Sequence, residues 1–164
     1  MDAITQMALA KAGAFAAIGL AAIGSSLGCG AGGSAAVGAW KKCYAQNKKA
    51  PFLLTAFAGA PLSQTIYGMV MMSGILSQLA ADATLAAFWP LFLVVGIIAG
   101  ISMGTSAWMQ GKAAAGSCDA FAETGQGFAN NIIALGIIET VAIFAMIFGM
   151  QVTNVATVVE AAIK

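Results

Sequence analysis

Charged residues are so few and so clustered that they divide the chain into four long spans with almost no charge. The first three spans cover residues 12–40, 50–81 and 83–111, and the fourth, residues 124–159, is interrupted once, by Glu139. A helix needs about 20 apolar residues to cross a hydrocarbon core of ~30 Å. Each span exceeds that length, so the pattern predicts an all-α membrane protein with four transmembrane helices.

Composition narrows the possible functions. The chain is 60% hydrophobic and 8% charged, whereas soluble domains average about 25% charged residues. It contains neither arginine nor histidine, so it lacks the basic surface that nucleic acids require and the imidazole that many metal and hydrolase sites use. The cysteines Cys29, Cys43 and Cys118 have no CxxC spacing and are expected to be free thiols. We predict no nucleic-acid partner, no catalytic centre and no organic cofactor.

An internal repeat relates the two halves of the chain. Residues 24–28 (GSSLG) match residues 100–104 (GISMG), and Gln64-Thr65 matches Glu139-Thr140 at nearly the same offset. The repeat indicates one helical hairpin duplicated in the same orientation, with the carboxylate kept only in the second copy. The predicted units are a first hairpin over 1–80, with crossings at about 12–40 and 51–80, and a second over 81–164, with crossings at about 88–118 and 127–153.

Lysine placement predicts the orientation in the membrane. The connectors between spans one and two and between spans three and four carry most of the lysines, namely Lys41, Lys42, Lys48, Lys49 and Lys112. The middle connector carries only Asp82. By the positive-inside rule, the first and third connectors face the cytoplasm and both termini lie on the opposite side. Lys11 and Lys164 oppose this assignment but are outnumbered.

Glycines recur every four residues in spans one and three, at Gly24, Gly28 and Gly32 and at Gly96, Gly100 and Gly104. Such spacing gives a helix a small-residue face on which another backbone packs closely. Two interpretations stay open. The face packs helices together inside a four-helix monomer, or it lines the inner circle of an oligomeric ring whose outer helices are spans two and four.

The spacing of four polar residues predicts that they lie at one depth. Gln110 and Glu139 are equidistant from position 124.5, inside the expected turn, so they should meet in an antiparallel hairpin. Gln64 lies 15 residues beyond Lys49, which marks the first turn, and Glu139 lies 14.5 residues beyond the later turn at position 124.5. At the helical rise of about 1.5 Å per residue, the two positions differ in height by less than ~1 Å. Together with Ser63, these side chains are expected to form a single polar layer.

A carboxylate near the membrane midplane costs about 3 kcal/mol unless it is neutralised or liganded. No lysine is expected at the depth of Glu139, which disfavours an ion pair. A proton needs little more than the carboxylate, whereas a hard cation needs several neutral oxygens. Pro61 cannot donate a helical hydrogen bond and would leave carbonyls near Phe57–Ala60 available. The layer therefore favours a cation site, although a glutamine in a membrane also serves as interhelical glue.

Three segments together resemble the rotor-ring proteolipid, often named K or c, of the vacuolar/archaeal-type rotary ATPases. They are residues 61–68 (PLSQTIYG), residues 109–116 (MQGKAAAG) and residues 138–140 (IET), and the similarity extends over essentially all four spans. The resemblance implies a homo-oligomeric ring that turns in lipid against a stator subunit with an essential arginine. It also implies that central-stalk subunits meet the cytoplasmic connectors.

Matched position by position, the resemblance implies the sodium-binding form of this family. Glu139 would be the essential carboxylate, Ser63 stands where threonine is frequent, and Val141 stands where tyrosine occurs. The remaining implied roles are amide ligands at Gln64 and Gln110, a backbone carbonyl ligand at Ala60 and a site-closing hydrogen bond from Tyr67.

Other readings of the residues remain open at this point. Sodium and protons compete for one carboxylate, so the sequence does not decide between Na⁺ and H⁺. A small four-helix cation or proton transporter or channel working without an ATPase would also keep one buried acid. A purely structural four-helix protein would tolerate loss of that acid, and an intramembrane enzyme is disfavoured because no nucleophile–base pair is present.

Overall fold

A computed structural model describes residues 1–163, and within them every element is helical. Lys164, which entered the orientation argument, lies outside the described residues. The elements are α1 (Ala3–Ala45), α2 (Leu54–Gly59), a 3₁₀ turn (Ala60–Leu62), α3 (Ser63–Ala81), a second 3₁₀ segment (Ala83–Phe88), α4 (Trp89–Thr124) and α5 (Phe128–Ile163).

Three helical stretches are long and apolar enough to cross a membrane: Ala3–Ala45, Ala83–Thr124 and Phe128–Ala156. The first two extend beyond the predicted crossings at 12–40 and 88–118 at both ends, whereas the third begins one residue later and ends three residues later than the predicted 127–153.

The second predicted crossing, 51–80, is not one of these three stretches. It consists of α2, a 3₁₀ turn and α3. Pro61, which cannot donate a backbone hydrogen bond, lies within the 3₁₀ turn. The divided segment is also more polar than the other three, since it includes Ser63, Gln64 and Gln78.

The helices form two antiparallel hairpins that lie side by side. α1 pairs with the α2–α3 segment, since Gly32 lies against Ala58 near one end and Gly68 lies against Ala17 and Ile18 nearer the other. α4 pairs with α5 across a short turn. Consequently the connectors after α1 and after α4 share one end of the bundle, and the N-terminus and the connector after α3 share the other.

The closest helix packing is between α1 and α4, which run parallel and contact each other through glycines. A Cβ atom at Gly24 would lie 1.9 Å from the Gly104 carbonyl oxygen, and one at Gly96 would lie 1.9 Å from the Gly13 carbonyl oxygen. The repeating glycines therefore serve packing inside the chain, and an inner circle of spans one and three in an oligomeric ring stays a prediction. They no longer count as separate support for an inner circle between copies.

The end that carries the connectors after α1 and α4 is held by a turn residue and an ion pair. Gly125 ends α4 in the left-handed conformation, φ 65°, with its N–H bonded to the Phe121 carbonyl, a position that favours glycine. Lys42 at the end of α1 pairs with Glu123 at the end of α4, and both residues lie beyond the predicted crossings. The hydrogen bond with Lys42 lowers the pKa of Glu123 and raises the pKa of Lys42.

Substituting Gly24 tests the α1–α4 packing. We expect Gly24→Ala to lower the melting temperature of the detergent-solubilised protein, because its Cβ would overlap the Gly104 backbone and overpacking typically costs about 1–3 kcal/mol. Gly116→Ala is the matched control, since a Cβ there meets nothing within 4 Å and alanine favours a helix. Equal melting temperatures for both variants would contradict the packing assignment.

Candidate ion-binding site

The structure brings together every residue that the sequence singled out for the polar layer. Gln64 on α3 and Gln110 on α4 are fully buried, at 0% exposure, and Glu139 on α5 is partly buried. These three residues lie far apart in the chain and come from both hairpins. Because the surrounding helices are apolar, their polar atoms have to satisfy one another.

The two glutamines link α3 to α5 through a chain of hydrogen bonds. Gln64 Nε2 donates to Gln110 Oε1 over 2.9 Å. Gln110 Nε2 in turn donates to Glu139 Oε2 over 3.3 Å. The expectation that Gln110 and Glu139 meet across the turn is therefore met, and Gln64 lies within one hydrogen bond of Gln110.

Tyr67 completes the surroundings of the carboxylate from the α3 side. Its hydroxyl donates to Glu139 Oε1 over 2.5 Å, so each carboxylate oxygen accepts a hydrogen bond from a different helix. Tyr67 is partly buried, and neighbouring side chains on the outer face of α5 are apolar and exposed, including Ile137 and Val141. The carboxylate thus lies at the edge of the bundle and is covered by the Tyr67 side chain.

Ser63 and Ala60 lie at the start of α3, where the 3₁₀ turn gives way to the α-helix. The Ser63 hydroxyl donates to the Ala60 carbonyl oxygen over 3.1 Å and lies 3.2 Å from Gln64 Oε1. The Ala60 carbonyl also accepts the Ser63 backbone N–H. Both oxygens are next to Gln64 but are occupied by each other in this arrangement.

Two further contributors to the layer were missed at the level of sequence. Gln110 Nε2 also donates to the Leu135 carbonyl oxygen over 3.0 Å, and the buried Ser106 hydroxyl donates to the Ile138 carbonyl oxygen over 2.9 Å. Both bonds fix α4 against α5 within one turn of Glu139. The available signal was that Ser106 precedes Gln110 by four residues and so shares its helix face.

The layer holds one formal negative charge among neutral oxygens. Among the described residues, no lysine pairs with Glu139. The ion pair between α1 and α4 joins Lys42 to Glu123 instead. Carboxylate, amide, hydroxyl and carbonyl oxygens are the donors that hard monovalent and divalent cations take in proteins. This donor set is compatible with a single monovalent cation or with a proton on the carboxylate.

Comparison with known proteins gives one family match. Residues 93–152, which include most of α4 and the part of α5 that carries Glu139, match the family of the ATP synthase C subunit. A search among curated proteins gave no match. The three apolar helices and this match together indicate an integral membrane protein.

Removing the Tyr67 hydroxyl tests its role at the carboxylate. Carbodiimides react with protonated carboxyl groups, and a hydrogen bond to a charged group is worth about 1.5–3 kcal/mol. We expect Tyr67→Phe to speed modification of Glu139 about tenfold at neutral pH, because the charged carboxylate loses a donor. Tyr44→Phe, at an exposed tyrosine, is the control. Identical rates in Tyr67→Phe and the unmodified protein would show that the hydroxyl does not stabilise the carboxylate.

Proposed function

We propose that this chain is the membrane rotor-ring subunit of a V-type rotary ATPase and carries a cation across the membrane on Glu139. Sodium is the favoured cargo and a proton the alternative. The observation that carries the proposal is the polar layer of Gln64, Gln110, Tyr67 and Glu139 in an otherwise apolar bundle. The family match over residues 93–152 supports the assignment to a rotary ATP synthase or ATPase.

Sodium coordination in this proposal uses oxygens of residues that already contact one another through hydrogen bonds. Glu139 supplies the charged oxygen, Gln64 and Gln110 supply amide oxygens, and Ser63 and Ala60 supply a hydroxyl and a carbonyl oxygen. In the present arrangement Gln110 directs its nitrogen at Glu139. Loading a cation therefore requires the Gln110 amide to turn so that its oxygen faces the carboxylate.

The position of Glu139 suits a carrier that passes through lipid. A bound sodium ion neutralises the carboxylate, which removes most of the cost of holding a charge in hydrocarbon. Tyr67 covers the carboxylate from the α3 side and would close the loaded site. Opening toward the outer face of α5 would then give a stator group access to the ion.

The partners follow from the same proposal. Identical copies form the ring, and a stator membrane subunit supplies the essential arginine that displaces the ion. The connectors after α1 and α4 share one end of the bundle with Lys42 and Glu123. By the lysine bias that end faces the cytoplasm and meets the central stalk, and the chain itself contributes no catalytic centre.

Competition between sodium and carbodiimide at Glu139 tests the cargo. At neutral pH, sodium chloride should slow modification relative to choline chloride at equal ionic strength, because a liganded carboxylate is not protonated. We expect Gln64→Ala to raise the sodium concentration for half-protection at least tenfold, since it removes a ligand, with normal membrane expression.

Gln78→Ala is the matched control for Gln64→Ala, since Gln78 lies on the same helix and contacts Thr153 instead of the layer. Its half-protection concentration should equal that of the unmodified protein. Modification that is indifferent to sodium would favour a proton as the cargo. Parallel losses of expression and sodium protection in Gln64→Ala would favour a structural role for the glutamine.

Native mass measurement of the detergent-solubilised protein tests the ring. We expect a closed assembly whose mass is a multiple of the 16.4 kDa chain, as cyclic homo-oligomers require. A monomer or dimer that transports cations in vesicles without other subunits would support the small transporter or channel instead.

A further inference from the structure

Ser25 on α1 is a buried hydroxyl without a function in the site described above. Its residue is 3% exposed, and its Oγ atom has no hydrogen-bond partner within residues 1–163. Buried polar side chains nearly always have a partner, and a serine inside a helix commonly bonds to a carbonyl of the preceding turn. An unpaired hydroxyl at such a position therefore calls for a reason.

Contacts on either side of Ser25 define its position relative to α3. A Cβ at Gly28 would lie 2.8 Å from Pro61 Cβ, and a Cβ at Gly68 would lie 3.1 Å from Ala21 Cβ. Ser25 lies between Ala21 and Gly28 on one face of α1. Since the two helices are antiparallel, Ser25 faces the part of the α3 segment between Pro61 and Gly68.

Gln64 is the fully buried polar residue in that part of α3. It follows Pro61 by three residues and precedes Gly68 by four, so it shares their buried side of the helix. Ser25 on α1 and Gln64 on α3 therefore lie at about the same level, while Gln110, which accepts the Gln64 N–H, comes from α4.

The Gln64 amide needs a different partner when a cation is loaded. At present its Nε2 donates to Gln110 Oε1, but cation binding turns that oxygen toward Glu139. The Gln64 nitrogen then loses its acceptor in a fully buried place, and an unpaired buried donor is costly. An unpaired hydroxyl at the same level supplies the acceptor that is missing.

We propose that Ser25 is a positioning residue for the Gln64 amide, accepting its N–H in the cation-loaded state and holding the amide oxygen toward the ion. This inference rests on the proposed function. It adds α1, which carries none of the ligands proposed above, to the groups that set sodium affinity. Ser25 itself does not touch the ion.

Ser25→Ala separates this role from a structural one. Modification of Glu139 by dicyclohexylcarbodiimide is measured against sodium chloride in the assembled protein, with choline chloride keeping the ionic strength constant. We expect the sodium concentration for half-protection to rise about 3- to 10-fold, the effect of one neutral hydrogen bond. The rate without sodium should stay unchanged, because Glu139 keeps both of its donors. Ser26→Ala, at the exposed neighbour, should match the unmodified protein in both measurements.

The outcomes distinguish the inference from the proposed function. Sodium protection that is equal in Ser25→Ala and in the unmodified protein overturns the role of Ser25 and leaves the proposed function standing. Absence of sodium protection in the unmodified protein overturns the sodium site and this inference together. If Ser25→Ala does not assemble, the same sodium-protection measurement is made on Ser25→Gly, which also lacks the hydroxyl and needs less space.

Discussion

This structure depends on one constraint: the polar side chains at one level of an apolar bundle must all have hydrogen-bond partners. A carboxylate and two amides in a membrane span are tolerated only when they bond to one another or to a ligand. Here the bonds run from α3 through Gln110 on α4 to Glu139 on α5, and Tyr67 returns from α3 to the same carboxylate. The positions of three helices are therefore coupled at this level.

The glycine contact between α1 and α4 gives that layer a rigid support. Close approach of the two backbones at Gly24 and Gly104 leaves no room for side chains between the helices. The bulkier polar residues consequently lie on the sides of α4 that face α3 and α5. In this way a feature of packing determines where the polar layer is located, although the glycines contribute no polar atom.

Much of the fold was predictable from charge spacing. Long uncharged spans indicated the helices, and the symmetry of Gln110 and Glu139 about the expected turn at position 124.5 placed them at one level. Such inferences work because helical rise is constant and hairpins are antiparallel. They address height along the membrane normal and do not require knowledge of side-chain directions.

The features that the sequence left undecided depend on which way each side chain points around its helix axis. The glycine repeats were compatible with packing inside the chain or between copies, and only the facing of α1 toward α4 decides that they pack inside. The bonds of Gln110 to the Leu135 carbonyl and of Ser106 to the Ile138 carbonyl involve backbone acceptors, which no residue type reveals. The same holds for Ser25, whose lack of a partner becomes visible only when its neighbours are placed.

The Gln64 amide stands where the repeat would otherwise place a second carboxylate, so the polar layer between the two hairpins contains one carboxylate. By the internal repeat, Gln64 corresponds to Glu139, and the structure joins the two through a single intervening side chain, Gln110. A second carboxylate so close would repel the first, and one of the pair would have to remain protonated. An amide keeps the layer at one negative charge; under the proposed function, one monovalent cation would neutralise that charge and the amide would add a neutral oxygen for its coordination. The first hairpin thus complements the second instead of duplicating its site.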